Sequence, residues 1–100
     1  MIELKEDFEQ LNIPFVYSHF KKPVELPYIA YIGAGQDTFG ADNTWHFKRN
    51  LYQLEYYFKV KNEATEEAIE QILLNHGYNY TKSEDVFIED ENVFYIYYEI

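Results

Sequence analysis

One stretch of the chain, from Asn50 to Gly77, constrains the fold more than any other, because a strand pattern there runs directly into a helix pattern. In NLYQLEYYFKV, apolar and polar residues largely alternate, and this period of two predicts a half-buried strand. The predicted inner face carries Tyr52, Leu54, Tyr56, Phe58 and Val60. The predicted outer face carries Gln53, Glu55 and Lys59, interrupted by Leu51 and Tyr57.

The next residues, NEATEEAIEQILLNHG, have the spacing of an amphipathic helix. We predict that Asn62 caps the start of this helix and that Gly77 ends it in the left-handed conformation. The predicted apolar stripe consists of Ala64, Ala68, Ile69, Ile72, Leu73 and His76. The residues predicted to face water are Glu63, Glu66, Glu67, Glu70 and Gln71. Because strand and helix each have one apolar face, each is predicted to pack against the other.

The first part of the chain contains weaker patterns. Residues 2–12 predict a short helix with Leu4, Phe8 and Leu11 on one side, and Pro14 stops it. The segment FVYSHFKKPVELP that follows contains two prolines of its own, and these favour an extended connection.

A short apolar run over residues 28–32 predicts the first strand, which Gly33 and Gly35 are expected to close. Residues 35–43 are rich in glycine, aspartate and asparagine, and they predict a projecting loop, either a flexible arm or a wide hairpin. The returning strand is predicted to begin at residues 45–47.

After the helix, the sequence predicts a hairpin: a strand over residues 79–82 that continues through residues 86–88, a turn at residues 89–92, and a last strand. In the last strand, one predicted face carries Phe94, Ile96, Tyr98 and Ile100, and the other carries Val93, Tyr95 and Tyr97. Neither face is polar. The strand is therefore either central with both faces covered, or one of its faces is a contact surface.

These patterns predict a single domain, residues 1–100, of the α+β class, with an antiparallel or mixed four- to five-stranded sheet and two helices packed mainly on one face. Aromatic residues make up 20% of the chain, and eleven of them are tyrosines, which is more than a core of this size can hide. Tyrosine is favoured both in strands and at protein interfaces, so the surplus rings are either ordinary strand residues or part of a subunit interface.

Eighteen acidic residues against eight basic ones give a formal net charge of −10. Binding to nucleic acid or to an anionic membrane needs cations, so this balance argues against both. No stretch approaches the roughly 20 apolar residues of a membrane span, and we expect a soluble, intracellular protein. The chain has no cysteine, which removes disulfides, thiolate metal sites and thiol nucleophiles from consideration.

We find no pattern that predicts catalysis, a cofactor or a metal. The histidines His19, His46 and His76 lack the paired spacing of metal motifs. Ser18 precedes His19, but a nucleophile and its base also need an orienting carboxylate. The glycines of GAGQDTFG are not followed by the lysine of a phosphate loop, and the acids of residues 84–91 lack the spacing of a calcium loop.

Several segments in their order resemble the small tail-terminator or tail-completion proteins of long-tailed bacteriophages and prophages. The series runs over residues 27–100: PYIAYI, a glycine-rich loop, the strand YQLEYYF, the helix EATEEAIEQIL and an aromatic closing hairpin. The marks that carry the resemblance are Ala41-Asp42-Asn43, Leu54-Glu55-Tyr56, Glu66 or Glu67, and Glu70.

This resemblance implies a structural protein of the virion neck with no active site. Its copies would form a ring, typically a hexamer, that stops tail tube polymerisation and contacts the head-tail connector protein. The expected partners are therefore other copies of the chain, the tail tube protein and the connector, with assembly in the host cytoplasm. The net negative charge would let a genome slide through such a ring.

A ring needs one patch of each subunit to meet a different patch of the next. Our candidates for these patches come from the glycine-rich loop and the surplus aromatic strand residues: Gln36, Asp37, Phe39, Asp42, Trp45, Tyr95 and Tyr97. A second hypothesis is a small acidic intracellular binding module, or an inhibitor, that occupies a basic site on a partner. Self-association distinguishes the two.

Overall fold

The computed structural model describes residues 1–41 and 44–100, with side chains described for residues 1–38 and 48–100. Two helices lie within the described ranges, α1 (Ile2–Gln10) and α2 (Glu63–Asn75). The strands of this part of the chain are β1 (Phe15–Tyr17), β2 (Tyr28–Ala41), β3 (Thr44–Phe58), β4 (Thr81–Lys82), β5 (Val86–Ile88) and β6 (Val93–Glu99). They form one mixed sheet in the order β1-β2-β3-β6-β4, with β5 also paired to β6. The predicted α+β class is confirmed.

The sheet has more strands than the four to five that we predicted. The segment predicted as an extended connection contains β1, which pairs in parallel with β2 over residues 29–31. This strand was missed because it is only three residues long and the prolines lie on either side of it. At the other edge, β4 and β5 are separate short strands because Ser83 interrupts the ladder, accepting a hydrogen bond from the Tyr97 backbone N–H through its hydroxyl at 2.9 Å.

Both helices pack on the same face of the sheet. The core between the helices and the sheet is formed by alternate residues of the strands, by the inner residues of the helices, and by Ile13 and Ile100 just outside these elements. Its members are Leu4, Phe8, Ile13, Phe15, Ile29, Leu54, Tyr56, Phe58, Ile69, Leu73, Ile96, Tyr98 and Ile100. Of the two apolar faces of β6, the one that carries Phe94, Ile96, Tyr98 and Ile100 packs on the core. The predicted inner face of β3 is confirmed. Val60 is an exception, because β3 ends before it and its side chain is 78% exposed.

Helix α2 has the predicted ends. The Asn62 side chain accepts a hydrogen bond from the Thr65 N–H at 3.2 Å, and Gly77 has a φ of +82° just beyond the helix. The predicted stripe is wrong in part, because Ala64 and His76 are exposed and Glu66 is buried. The buried line of the helix is Glu66, Ile69 and Leu73, and the charge of Glu66 is compensated by partners outside the helix.

Helix α1 ends at Gln10, two residues before the predicted end, and Leu11 is exposed instead of packing with the other apolar residues of the helix. The Leu11 and Asn12 N–H groups donate to carbonyls of the last turn, Phe8 O and Glu9 O. Asn12 takes a positive φ of +60°, which turns the chain away from the helix axis before Pro14 is reached.

Strand β2 does not close at its glycines, contrary to our prediction. Gly33 pairs with Tyr52 and Gln36 pairs with Asn50, so two residues of β2 stand opposite one residue of β3. Gly35 has a φ of +100° in this bulge, a conformation that glycine adopts without strain. The glycine therefore bends the strand where a short strand was expected to end.

The segment predicted as a projecting loop is a strand for most of its length. Residues 36–41 of β2 pair with residues 44–50 of β3, and a second register irregularity lies between residues 39 and 40. We call these two paired segments the ribbon. With the ribbon, the molecule is 50 Å long and its radius of gyration is 15.1 Å, above the roughly 13 Å of a compact domain of this length.

Candidate functional site

A row of tyrosines crosses the face of the sheet opposite to the helices. Tyr28 of β2 lies directly opposite Tyr57 of β3, and Tyr57 lies directly opposite Tyr95 of β6. The ring centroids are 5.0 Å apart in the first pair and 5.4 Å apart in the second. We call these three residues the tyrosine row. Tyr97 extends the row along β6, with its ring centroid 6.3 Å from that of Tyr95.

Alternation along the strands explains why these rings lie on the side away from the helices. Tyr56 and Phe58 of β3 point into the core, so Tyr57 between them must point to the other face. The rings of the row and of Tyr97 are all half-buried, and the burial comes from contact with one another as well as with neighbouring strands. The row is thus a preformed aromatic surface on the outside of the sheet.

Glu55 lies beside the row, two residues before Tyr57 on the same face. Its Oε1 accepts a hydrogen bond from the Tyr57 hydroxyl at 3.0 Å, and its Oε2 accepts one from Gln53 Nε2 at 3.3 Å. Burial and this hydrogen bond to a carboxylate raise the pKa of the Tyr57 hydroxyl well above its usual value. The site therefore holds a tyrosine that resists ionisation, with its hydroxyl donating to the Glu55 carboxylate.

A groove of about 370 Å³ runs along one side of the row. Its floor is made by Tyr28, Ala30 and Tyr57, and Ile88 and Glu91 stand on one side. The segment of residues 18–24 forms the other wall, where the Phe20 ring meets Tyr28 edge to face with centroids 5.2 Å apart. Tyr28 and Tyr57 therefore lie at the bottom of a shallow channel.

The ribbon carries the other candidate residues. Gln36 Nε2 donates to Asn50 Oδ1 across the two strands at 2.8 Å, and Arg49 lies 3.5 Å from Asp37. The side chains of Phe39 and Trp45 belong to residues 39–47, outside the described side chains, and Asp42 lies outside the described residues altogether.

The predicted site residues therefore divide into two separate groups. Tyr95 and Tyr97 lie on the sheet face with the tyrosine row, whereas Gln36 and Asp37 lie on the ribbon. Sequence reasoning missed Tyr28, Tyr57 and Glu55 as site residues, because their meeting depends on the register between β2, β3 and β6. A local signal was Tyr57 itself, which with Leu51 interrupts the polar outer face of its strand.

A network of charges joins α2 to strand β4. Glu66 lies 2.8 Å from Lys61 Nζ and 2.9 Å from Lys82 Nζ, and Lys82 Nζ also lies 2.8 Å from Glu70. Glu70 Oε2 accepts a hydrogen bond from the Tyr98 hydroxyl at 2.8 Å. Buried carboxylates are tolerated when they are paired in this way, so we interpret the network as the attachment of the helix to the sheet edge.

Of the other candidates for chemistry, His76 Nε2 lies 2.7 Å from Asp7 Oδ2, which joins the end of α2 to α1. Ser18 Oγ lies 3.1 Å from His19 Nδ1, but both residues are exposed and adjacent in the chain. Among the described residues, no group of three or more histidine, aspartate or glutamate side chains could hold a metal ion.

Neither α1 nor α2, the two helices of the described ranges, is long and apolar enough to cross a membrane. In comparisons with known proteins, no protein-family model matches the chain, and no curated protein matches it.

Proposed function

We propose that this protein is a structural assembly protein of the tail-terminator or tail-completion kind, whose copies form a ring in the neck of a long-tailed bacteriophage. The observation that carries the proposal is the tyrosine row, an aromatic surface on the face of the sheet away from both helices. Tyrosine is enriched at the centres of protein interfaces, where its ring gives a large contact area at low entropic cost. The face is suited to another protein surface.

The protein would act by shape and contact. A ring of about six copies caps the tail tube, stops its polymerisation and presents the opposite side to the head-tail connector protein. The ring forms in the host cytoplasm and remains in the virion. The −10 net charge of each copy supports this function, because a negative lumen repels the genome instead of holding it.

A second candidate function is supported by a different observation. The acids on both sides of β5 are all exposed: Glu84, Asp85, Glu89, Asp90 and Glu91. Such a cluster on a short hairpin suits a small acidic module that binds or inhibits a basic partner. This candidate requires only a monomer, so the two functions differ in their expected mass in solution.

The proposal is tested by light scattering of the purified full chain over a wide range of concentrations, with negative-stain imaging of the largest species. The proposal predicts a species of about six times the 12.1 kDa chain mass, visible as closed rings. A monomer at every concentration overturns the proposal and leaves the acidic binding module as the better interpretation.

A further inference from the structure

The ribbon lacks the support that the rest of the sheet has. Strand β1 pairs with β2 only as far as Tyr31, and the ladder between β3 and β6 begins at Gln53. Within the described residues, no third strand pairs with the ribbon, which is therefore a two-stranded structure. A two-stranded hairpin is at best marginally stable by itself in water, so an extended ribbon gains stability from a partner surface.

The charge of the ribbon differs from that of the whole chain. Arg49 is the single arginine among eight basic residues in a protein of net charge −10, and it follows Lys48 directly. The Arg49 side chain is 51% exposed, and its contact with Asp37, at 3.5 Å, is long for an ion pair. A guanidinium group pairs with a carboxylate through two hydrogen bonds and also stacks on aromatic rings.

The tyrosine row offers both kinds of contact. Glu55 lies beside it, and the two donors that reach its oxygens, Tyr57 and Gln53, are neutral groups. A carboxylate has about four lone-pair sites and these two hydrogen bonds use one on each oxygen, so its valence allows a further donor. The rings of Tyr57 and Tyr97 lie beside the carboxylate, because Tyr97 is directly opposite Glu55 in the ladder. A carboxylate flanked by tyrosine rings matches an arginine side chain.

One copy of the chain cannot make this contact with itself. Arg49 and Glu55 are six residues apart on the same continuous strand β3, which separates them by about 20 Å. The ribbon and the row therefore lie at different ends of one sheet. If they meet, they meet between copies, and each copy gives its ribbon to one neighbour while it receives the ribbon of the other. Such a head-to-tail contact gives a ring when the rotation between successive copies closes, as the proposed function requires, and an open filament when it does not.

We propose that the ribbon of one copy lies on the tyrosine row of the next copy, with Arg49 paired to Glu55 of that neighbour. This inference rests on the proposed function, since it names the two surfaces through which the ring assembles. The partner that covers the tyrosine row is, on this inference, a second copy of this chain. The net negative charge of the chain favours this partner further, because two of the three charged residues of the ribbon, Lys48 and Arg49, are basic and only Asp37 is acidic.

The test is an exchange of charges in the full-length chain. Arg49→Glu and Glu55→Arg are made singly and together, and the concentration at half-assembly is measured by light scattering. Each single variant should weaken assembly by at least about tenfold, because it places like charges against each other. The double variant, which restores an opposite-charge pair between copies, should recover most of the loss.

Two matched controls separate this pair from general effects of charge. Lys5→Glu makes the same change in charge as Arg49→Glu on an exposed position of α1, and Glu67→Arg does the same for Glu55→Arg on α2. Neither control should alter assembly. Circular dichroism melting curves of all variants establish that each is folded.

The outcomes distinguish this inference from the proposed function. Suppose that the unchanged protein forms rings but the double variant assembles no better than the single variant that assembles more poorly. The contact between Arg49 and Glu55 is then wrong, and the ring proposal stands. The inference is also wrong if both single variants assemble normally. If the unchanged protein forms no oligomer, the proposed function itself fails, and this inference fails with it.

Discussion

The ring of Tyr57 stacks on the ring of Tyr28, directly opposite in the β2–β3 ladder, with centroids 5.0 Å apart on the face of the sheet away from the helices. Stacked cross-strand pairs hold each ring in one position before any partner arrives. A surface that is ordered in advance loses less entropy on binding. In the proposed ring, this pair would therefore lie at the centre of the contact surface.

The first prediction concerns this centre. Tyr57→Ala should weaken self-association by roughly thirtyfold or more, as expected for a buried aromatic residue at an interface centre. Tyr17→Ala, which removes a tyrosine that is 63% exposed on the edge strand β1, is the matched control and should leave association unchanged. Light scattering as a function of concentration measures both variants. Equal effects of the two substitutions would show that the row has no special role.

A second prediction separates the ribbon from the folding of the body. Replacement of residues 34–51 by a two-residue Asn-Gly turn should leave a folded monomer, because the turn joins Gly33 to its ladder partner Tyr52 and every core residue remains. The shortened protein should not assemble. Circular dichroism and light scattering measure the two properties. A shortened chain that does not fold contradicts the view of the ribbon as an independent projection.

The third prediction tests the orientation of α2. Leu73→Ala should lower the free energy of unfolding by about 2–5 kcal/mol, because the side chain is fully buried and its loss leaves a cavity. The neighbouring Leu74 is 50% exposed, and Leu74→Ala should change the free energy of unfolding by less than about 0.5 kcal/mol. Urea unfolding of both variants provides the comparison. Similar losses would mean that the helix is rotated from the orientation described above.

The fourth prediction concerns pH. Burial, and then the hydrogen bond to Glu70, raise the pKa of the Tyr98 hydroxyl. Because the pKa is higher in the folded state than in the unfolded state, the stability from this group is complete below about pH 10 and is lost as the pH rises further. Tyr98→Phe should cost about 1–3 kcal/mol at pH 7, since a hydrogen bond to a charged group is removed.

When the pH is raised from 9 to 11, the free energy of unfolding should fall less in Tyr98→Phe than in the unchanged protein. The reason is that the variant lacks the tyrosine whose pKa is higher in the folded state. Urea unfolding at both pH values measures the difference, with Tyr17→Phe as the control on an exposed ring. Parallel losses in the unchanged protein and in Tyr98→Phe would show that Tyr98 does not contribute to the alkaline limit.

The elements with a strong and regular period were predictable from local sequence. The inner face of β3 follows from simple alternation, and the ends of α2 follow from Asn62 and Gly77. The long strand β2 was not predictable in this way, because a glycine such as Gly35 occurs both in bulges within strands and in loops. Only the pairing with β3 distinguishes the two.

The site was less predictable than the fold because it depends on contacts between distant residues. Tyr28 and Tyr57 are widely separated in the chain, and a change of one residue in register would place the row on the other face. The burial of Glu66 likewise depends on contacts between residues that are distant in the chain. Its charge is tolerated because Lys61 and Lys82 reach it, and neither lysine belongs to the helix.

The most direct test of the central claim is hydroxyl-radical footprinting of the full chain, below and above the concentration at which it assembles. Peptide mass spectrometry would compare the oxidation of Tyr57, Tyr95 and Tyr97 with that of Tyr17. Assembly should protect the three tyrosines of the open face severalfold while Tyr17 stays as reactive as in the monomer. Unchanged oxidation of the three tyrosines in the assembled protein would contradict the claim that this face joins the copies.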